Sequence, residues 1–346
     1  MSFHIAYLPG DGIGPEVAGA AREVLDAVSR QYNFSLTYSE HSVGGNALDQ
    51  FGVPCPDETL RACLDADAVL FGAVGGPQWE VGSVRPEAGL LRIREEMKLF
   101  ANLRPVTLIP GLESLSPLRP EVSANTDLLI IRELIGGMYY GEHQEGDLFA
   151  RDHCDYTREQ ILSVSRLAFE TARKRRNKVT SVDKSNILAT SRLWRKTITE
   201  LHELEYADVE LDHVLVDAMA MKLVQAPTEF DVVVTENLFG DILSDEASVF
   251  AGSIGLAPSA SLGRESRGLY EPIHGSAPDI AGQGKANPIG SILSGALLLR
   301  YSLGQEDAAV AVEQAVRDTL RKGHRTSDLG GSSSCTELTA QIISCL

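Results

Sequence analysis

The sequence predicts an α/β chain folded around a large mixed, mostly parallel sheet. Two observations carry that expectation. Apolar, β-rich runs alternate with helix-patterned stretches from one end to the other, at residues 4–8, 68–73, 128–132, 178–182, 209–216 and 231–235. Acidic side chains also stand where strands give way to helices, the edge at which such sheets keep their sites. The chain has 346 residues, too many for one ordinary core and about right for two domains. A Pro-rich stretch (Pro105, Pro110, Pro117, Pro120) and a Gly/Ser-rich stretch at 252–263 are the candidate crossings between them. Two crossings suggest a discontinuous first domain, residues 1–100 and 253–346, with 101–252 as the second. No internal repeat or low-complexity tract is present.

In chain order, the first motif is LPGDGIGPEV at residues 8–17. It follows a strand, and Pro15 suits the first turn of a helix. A glycine-rich strand-to-helix loop exposes N–H groups that favour anions, although a tight turn explains the same residues. Its spacing is not G-x-G-x-x-G, so the dinucleotide fingerprint fails. Next, in RPEAGLLRIR at 85–94, Glu87, Leu90, Leu91 and Arg94 share one helical stripe. Apolar in its middle and cationic at one end, that stripe suits a carboxylate beside a branched hydrocarbon. Arg104 and Arg132 each end an apolar run. Singly such arginines make surface ion pairs, but together they supply the local cations an acidic protein needs to hold a di-acid. GGMYYG at 136–141 reads as a glycine-bounded hairpin turn whose tyrosines could donate protons. Lys184 directly follows a strand. Such a lysine is usually solvated, yet near a metal its pKa falls and it can act as a base.

The stretch 217–249 organises the rest. A buried strand at 232–234 passes into a helix in which Asp241 and Asp245 lie roughly 40° apart around the axis. Phe239, Ile242, Leu243, Val249 and Phe250 form a separate apolar arc expected to pack inward. Glu246 falls within that arc without a sequence-level reason. Upstream, Asp217 ends another apolar strand. Two acids at i, i+4 alone make a solvated face. Placed at strand ends with a third acid, they offer the oxygen ligands a hard divalent cation takes. Last, EPIHGSAPD at 271–279 runs on to Asn287-Pro288, a Gly/Pro-dense loop long enough to favour binding.

Composition narrows the function classes. Lys and Arg number 31 against 48 Asp and Glu, a net charge of −17. The one basic run, residues 173–176, sits on a helical pattern, so nucleic acid is not an expected partner. No secretory signal and no bilayer-length apolar stretch is visible, so no membrane association is expected. Five cysteines without metal or disulfide spacing fit a reduced, cytoplasmic protein and none takes a catalytic role.

Taken together, these stretches resemble the metal-dependent β-decarboxylating dehydrogenases, the isocitrate/isopropylmalate dehydrogenase family. The resemblance covers nearly the whole chain: LPGDGIGPEV, RPEAGLLRIR, FANLRP, RELIGGMYYGE, SVDKSNIL, DAMAMKLV, TENLFGDILSDEAS, EPIHGSAPDIAGQGKANP and RTSDLGG. It implies the family's two-domain fold, which is not a Rossmann fold. It also implies that Arg94, Arg104 and Arg132 hold the carboxylates of a 2-hydroxy di-acid. Asp217, Asp241 and Asp245 would bind Mg²⁺ or Mn²⁺, Lys184 would take the hydroxyl proton and Tyr139 would protonate the carbon left by CO₂ loss. Lys184 and Asp217 would come from a partner subunit, so a homodimer with shared sites is implied. NAD would lie against the loop 271–287 with contacts from Ile13, Asn186, Glu271, His274, Gly275, Ser276, Ala277, Asp279 and Asn287. Asp279 would accept from the adenosine ribose hydroxyls and repel a 2′-phosphate, which favours NAD over NADP. Leu90 and Leu91, joined by Ile187 and flanked by Glu87, match the isopropylmalate branch. The expected reaction is oxidative decarboxylation of (2R,3S)-3-isopropylmalate to 4-methyl-2-oxopentanoate in leucine biosynthesis. Tyr140 departs from a phenylalanine common in the family. Tartrate/D-malate or homoisocitrate oxidation is the alternative within the class. A Mg²⁺-dependent phosphohydrolase and a non-catalytic carboxylate-binding protein are the alternatives outside it.

Overall fold

The computed structural model describes residues 1–79, 84–264 and 267–346. Its strands in chain order are β1 (Ser2–Gly10), β2 (Ser35–Glu40), β3 (Ala68–Ala73), β4 (Ala101–Thr107), β5 (Asp127–Glu133), β6 (His143–Gln144), β7 (Arg151–Asp152), β8 (Lys178–Asp183), β9 (Glu210–Leu215), β10 (Val232–Thr235), β11 (Pro258–Leu262) and β12 (Gly268–Pro272). Two units divide the chain. One comprises Met1–Leu99, Ile109–Leu115 and Ala251–Leu346, the other Phe100–Leu108 and Ser116–Phe250.

In the first unit the strand order is β2-β1-β3-β12-β11, all parallel except the β11–β12 pair. Every residue of β3 is buried, as a strand covered on both faces requires. The helix Gly14–Gln31 buries Val17, Ala21, Val24 and Val28 along one stripe and packs on Ile289–Tyr301, itself buried on nearly all sides. The glycine-rich loop after β1 corrects the anion reading. Gly10 (φ 72°) and Gly12 (φ 59°) adopt left-handed backbone. The Asp11 N–H donates to Ala73 O, Ile13 N–H to Ser276 O and Gly14 N–H to Asp11 O, at 2.7, 2.8 and 2.9 Å. The Asp11 carboxylate accepts from the N–H groups of Gly45, Asn46 and Gly75 at 2.7–2.9 Å. The loop carries its own anion and spends its donors internally.

In the second unit the order is β4-β5-β10-β8-β9, with only β4–β5 antiparallel. Register aligns the C-terminal ends of its parallel strands: Thr235 pairs with Arg132 on one side and Val182 on the other, and Asp183 pairs with Leu215. The helix Asn237–Ser248 follows β10, and its Leu243 and Ala247 join Phe250, Met219, Leu223 and strand residues in one core. Each large side chain so buried contributes about 1.5–3 kcal/mol. The expected inward arc is wider than the real one. Ile242 and Val249 are 58% and 50% exposed, because each lies roughly 100° or more from Leu243 around the axis, beside Asp245. Glu246 is half-buried on that same flank, and burial pushes its carboxyl pKa up. Residues 138–140 form a 3-10 turn rather than a hairpin.

Candidate active site

Nine of the singled-out side chains lie in the second unit, in two clusters near the C-terminal ends of its parallel strands. Arg132 is the penultimate residue of β5. Arg104, on antiparallel β4, lies two residues beyond its pairing with that position, since Asn102 faces Arg132 in register. Both guanidinium groups are buried, with side chains 9% and 3% exposed for Arg104 and Arg132. Arg104 Nη1 donates to Asp245 Oδ1 and to Ser244 Oγ, each at 2.6 Å, its Nη2 to Asp241 Oδ1 at 3.2 Å and its Nε to Asn102 Oδ1 at 2.9 Å. Arg132 Nη1 donates to Asp241 Oδ1 and Nε to Asn237 Oδ1 at 2.9 Å. The Tyr139 hydroxyl donates to Asp241 Oδ2 at 2.9 Å, with its ring 5.4 Å from the Arg132 guanidinium carbon. Burial first, then the Asp241 charge, raises the Tyr139 pKa and keeps the phenol protonated. Burial likewise raises the Asp245 carboxyl, opposed by Arg104.

Lys184 and Asp217 form a second pair, Nζ to Oδ1 at 2.5 Å. Register explains the meeting, because β8 and β9 run parallel and end together. Asp217 sits in the first turn of the helix Val216–Gln225 rather than ending the strand. Its hydrogen bond from Lys184 lowers its pKa. Asp183, buried beneath Lys184, is held by Arg195 through both oxygens, at 2.8 and 3.0 Å. Asn186 and Ile187 stand exposed on the following turn.

Asp241 and Asp245 are the hard oxygen donors a divalent cation takes, one helical turn apart and drawn together by Arg104. Among the described residues, however, no three Asp, Glu, His or Cys side chains gather closely enough to hold a metal. The donor chemistry fits. Asp217, the third carboxylate expected from the sequence, pairs with Lys184 instead.

Sequence reasoning missed a supporting layer: Asn102, Tyr156, Glu236 and Asn237. Glu236 caps the helix, accepting from Phe239 N–H at 2.7 Å. The Tyr156 hydroxyl donates to Glu236 Oε2 at 3.1 Å and accepts from Asn237 N–H at 2.9 Å. Asn237 Nδ2 donates to Gly136 O at 3.0 Å. The usable signal was an acid and an amide directly after an apolar strand, where helix caps belong.

The remaining residues belong to the first unit. Arg94 is buried and paired with Glu271 at 2.8 Å, and its enclosed Nε finds no hydrogen-bond partner among the described residues. Glu87 is exposed, while Leu90 and Leu91 are half-buried. In the loop after β12, His274 has its pKa lowered by burial, its Nδ1 lies 2.9 Å from Gly275 O, and its enclosed Nε2 lacks a partner among the described residues. Ala277 (φ 36°) holds strained left-handed backbone, a device common at ligand loops. Ile13 packs with Ala286, and Ala277 packs against them. Asn287 is fixed between Ile289 N–H and Asp328. Ser276 is buried, while Gly275 and Asp279 are exposed.

A largely parallel α/β sheet with buried guanidinium groups, paired carboxylates, a phenol and an ammonium at its strand ends is an enzyme architecture for handling small carboxylic acids. The chain belongs to the family described as isocitrate/isopropylmalate dehydrogenase, whose profile matches residues 4–342. It is 53% identical over 341 residues to the 3-isopropylmalate dehydrogenase of Hahella chejuensis, covering 96% of this chain and 94% of that one. Identity to the enzyme of the same name from Staphylococcus aureus (strain Mu50) is 51% over 339 residues, covering 98% and 97%. Among solved structures, the isocitrate dehydrogenase of Methylococcus capsulatus superposes with a TM-score of 0.90 at 35% identity, covering 99% of each chain. The apo β-decarboxylating dehydrogenase of Thermococcus kodakarensis gives 0.82 at 38% identity, covering 99% of this chain and 96% of that one.

Proposed function

We propose that the chain catalyses NAD-dependent oxidative decarboxylation of (2R,3S)-3-isopropylmalate, giving 4-methyl-2-oxopentanoate and CO₂ in cytoplasmic leucine biosynthesis. The observation that carries this reading is the convergence of Arg104, Arg132 and Tyr139 on Asp241 and Asp245. Arg104 and Arg132 receive substrate carboxylate, exchanging an internal anion for an external one at buried, preorganised guanidinium groups. Lys184 takes the hydroxyl proton, and Tyr139 returns a proton to carbon after CO₂ departs. When bound, NAD⁺ accepts the hydride and Mg²⁺ or Mn²⁺ acts as the Lewis acid. Asp217, Asp241 and Asp245 are the residues that would hold the metal. The first unit's loop from Glu271 to Asn287, with Ile13, is assigned to NAD, and Asp279 to its preference over NADP. Arg94 is assigned to a carboxylate, and Leu90 and Leu91 to the branched alkyl group.

The working form is a homodimer with shared sites. Two features support that. Among the described residues of one chain no third carboxylate joins Asp241 and Asp245, and Met221, Val224 and Ile242, on the packed helices Val216–Gln225 and Asn237–Ser248, together with Val249 just after the second, are all 43% exposed or more. A panel of 2-hydroxy di-acids, each with NAD⁺ or NADP⁺ and Mg²⁺, tests the assignment through NADH absorbance. Isopropylmalate with NAD⁺ gives the largest kcat/KM. A panel won by D-malate, tartrate or homoisocitrate overturns the substrate assignment.

A further inference from the structure

We propose that Asn237 is a positioning residue that sets Arg132 and the turn carrying Tyr139 from the two ends of one side-chain amide. This rests on the reading above, in which Arg132 holds carboxylate and Tyr139 delivers the proton. Asn237 is 1% exposed, so water does not compete for its amide. Its Oδ1 accepts from Arg132 Nε at 2.9 Å and its Nδ2 donates to Gly136 O at 3.0 Å. Only one orientation of the amide serves both neighbours, since an N–H needs an acceptor and a carbonyl needs a donor. Its own backbone is pinned by Tyr156.

Gly136 opens the 136–137 turn, and Gly137 there has φ 75°. The 3-10 turn Met138–Tyr140 follows directly and aims the Tyr139 hydroxyl at Asp241. Asn237 also begins the helix that bears Asp241 and Asp245. A single amide therefore registers three things: the guanidinium that grips the acid, the turn that carries the phenol, and the helix those groups face. Aspartate keeps the acceptor towards Arg132 but turns a repelling oxygen on the Gly136 carbonyl. Alanine loses both ends.

That difference supplies the test. The reaction is run in D₂O with wild type, Asn237→Asp and Asn237→Ala, and the keto acid is trapped reductively as the amino acid. The face of deuterium at C3 is then read by NMR alongside KM and kcat, with thermal melts to confirm folding. Wild type deuterates one face. Asn237→Asp scrambles the face and lowers kcat about tenfold while KM for the di-acid stays within about threefold, as expected for one lost buried hydrogen bond. Asn237→Ala scrambles the face and also raises KM about tenfold. Single-face deuteration with wild-type KM in either variant overturns the proposal, and so does a melting shift with unchanged kinetics. Arg132→Lys and Tyr139→Phe serve as controls. If the first leaves KM alone or the second leaves deuteration on one face, the underlying site reading fails instead.

Discussion

Replacing Gly240 by alanine tests the buried seat of Arg132 without touching any polar atom of the site. A Cβ at 240 lies 2.7 Å from both Cβ and Cγ of Arg132 and 3.2 Å from Thr235 Cγ2. Carbon atoms pack at about 3.5–4.0 Å, so the arginine stem must yield by about 1 Å. Its side chain is only 3% exposed and has little space to give. Overpacking of this kind costs about 1–3 kcal/mol, against which alanine regains up to about 1 kcal/mol of helix propensity. Stability thus falls modestly. Function suffers more, because the displaced guanidinium loses alignment with Asn237 and Asp241. One charge-assisted hydrogen bond of about 1.5–3 kcal/mol lost from the bound state lowers kcat/KM about 10- to 150-fold. Steady-state kinetics with isopropylmalate, read beside a thermal melt, measures both quantities. A kcat/KM within about twofold of wild type refutes the claim that the arginine's position is held by this close approach.

Other expectations follow from the same geometry. Lys184→Gln and Tyr139→Phe each lower kcat by about 10²–10⁴, and mixing the two inactive proteins under subunit exchange restores activity that neither has alone. A mixture that stays inactive removes the shared-site arrangement. Ile242→Asp places a charge on an exposed apolar flank, so it converts the proposed dimer to monomers in sedimentation while the isolated chain keeps its helical circular dichroism. For pH, burial pushes the Glu133 carboxyl up to about 7 from its ordinary 4.5. Between those values the native state keeps a proton that the unfolded chain has released. Stability therefore declines as pH rises from 4.5 to 7 and levels off above, by about 3 kcal/mol in all. Chemical denaturation across that range measures the slope, and Glu133→Gln flattens it. An unchanged slope in that variant assigns the titration elsewhere.

Hydrophobic periodicity exposed β5, β8, β9 and β10, because strands within a parallel sheet are written as apolar runs, but it passed over β4, the antiparallel strand that carries Arg104. The pair Asp241 and Asp245 was legible for the same kind of reason, since i, i+4 spacing fixes a shared face before any tertiary contact exists. What stayed hidden depends on partners distant in sequence. Ile242 and Val249 read as core residues because composition cannot separate an inward apolar face from an outward one. Asp217 meets Lys184 only through the register of β8 on β9. The loop at Gly10 looked like an anion cradle, yet its donors go to Ala73 and Ser276. Glu236 and Asn237 stand where a helix cap belongs, but nothing in the sequence ties them to Tyr156 or Gly136. Their meaning is a network, visible only once folding has brought 136, 156 and 236 together.

The division of the first unit has a consequence for how the chain is made. β3 is flanked by β1 and β12, and the stretch 268–272 leaves the ribosome only after all of the second unit has been synthesised. Until then an entirely apolar strand must wait with one ladder unmatched, the condition that invites pairing with a neighbouring chain. A nascent chain that includes β3 but has not yet reached residue 272 therefore carries that unmatched ladder, and pairing along it is the hazard its synthesis must pass.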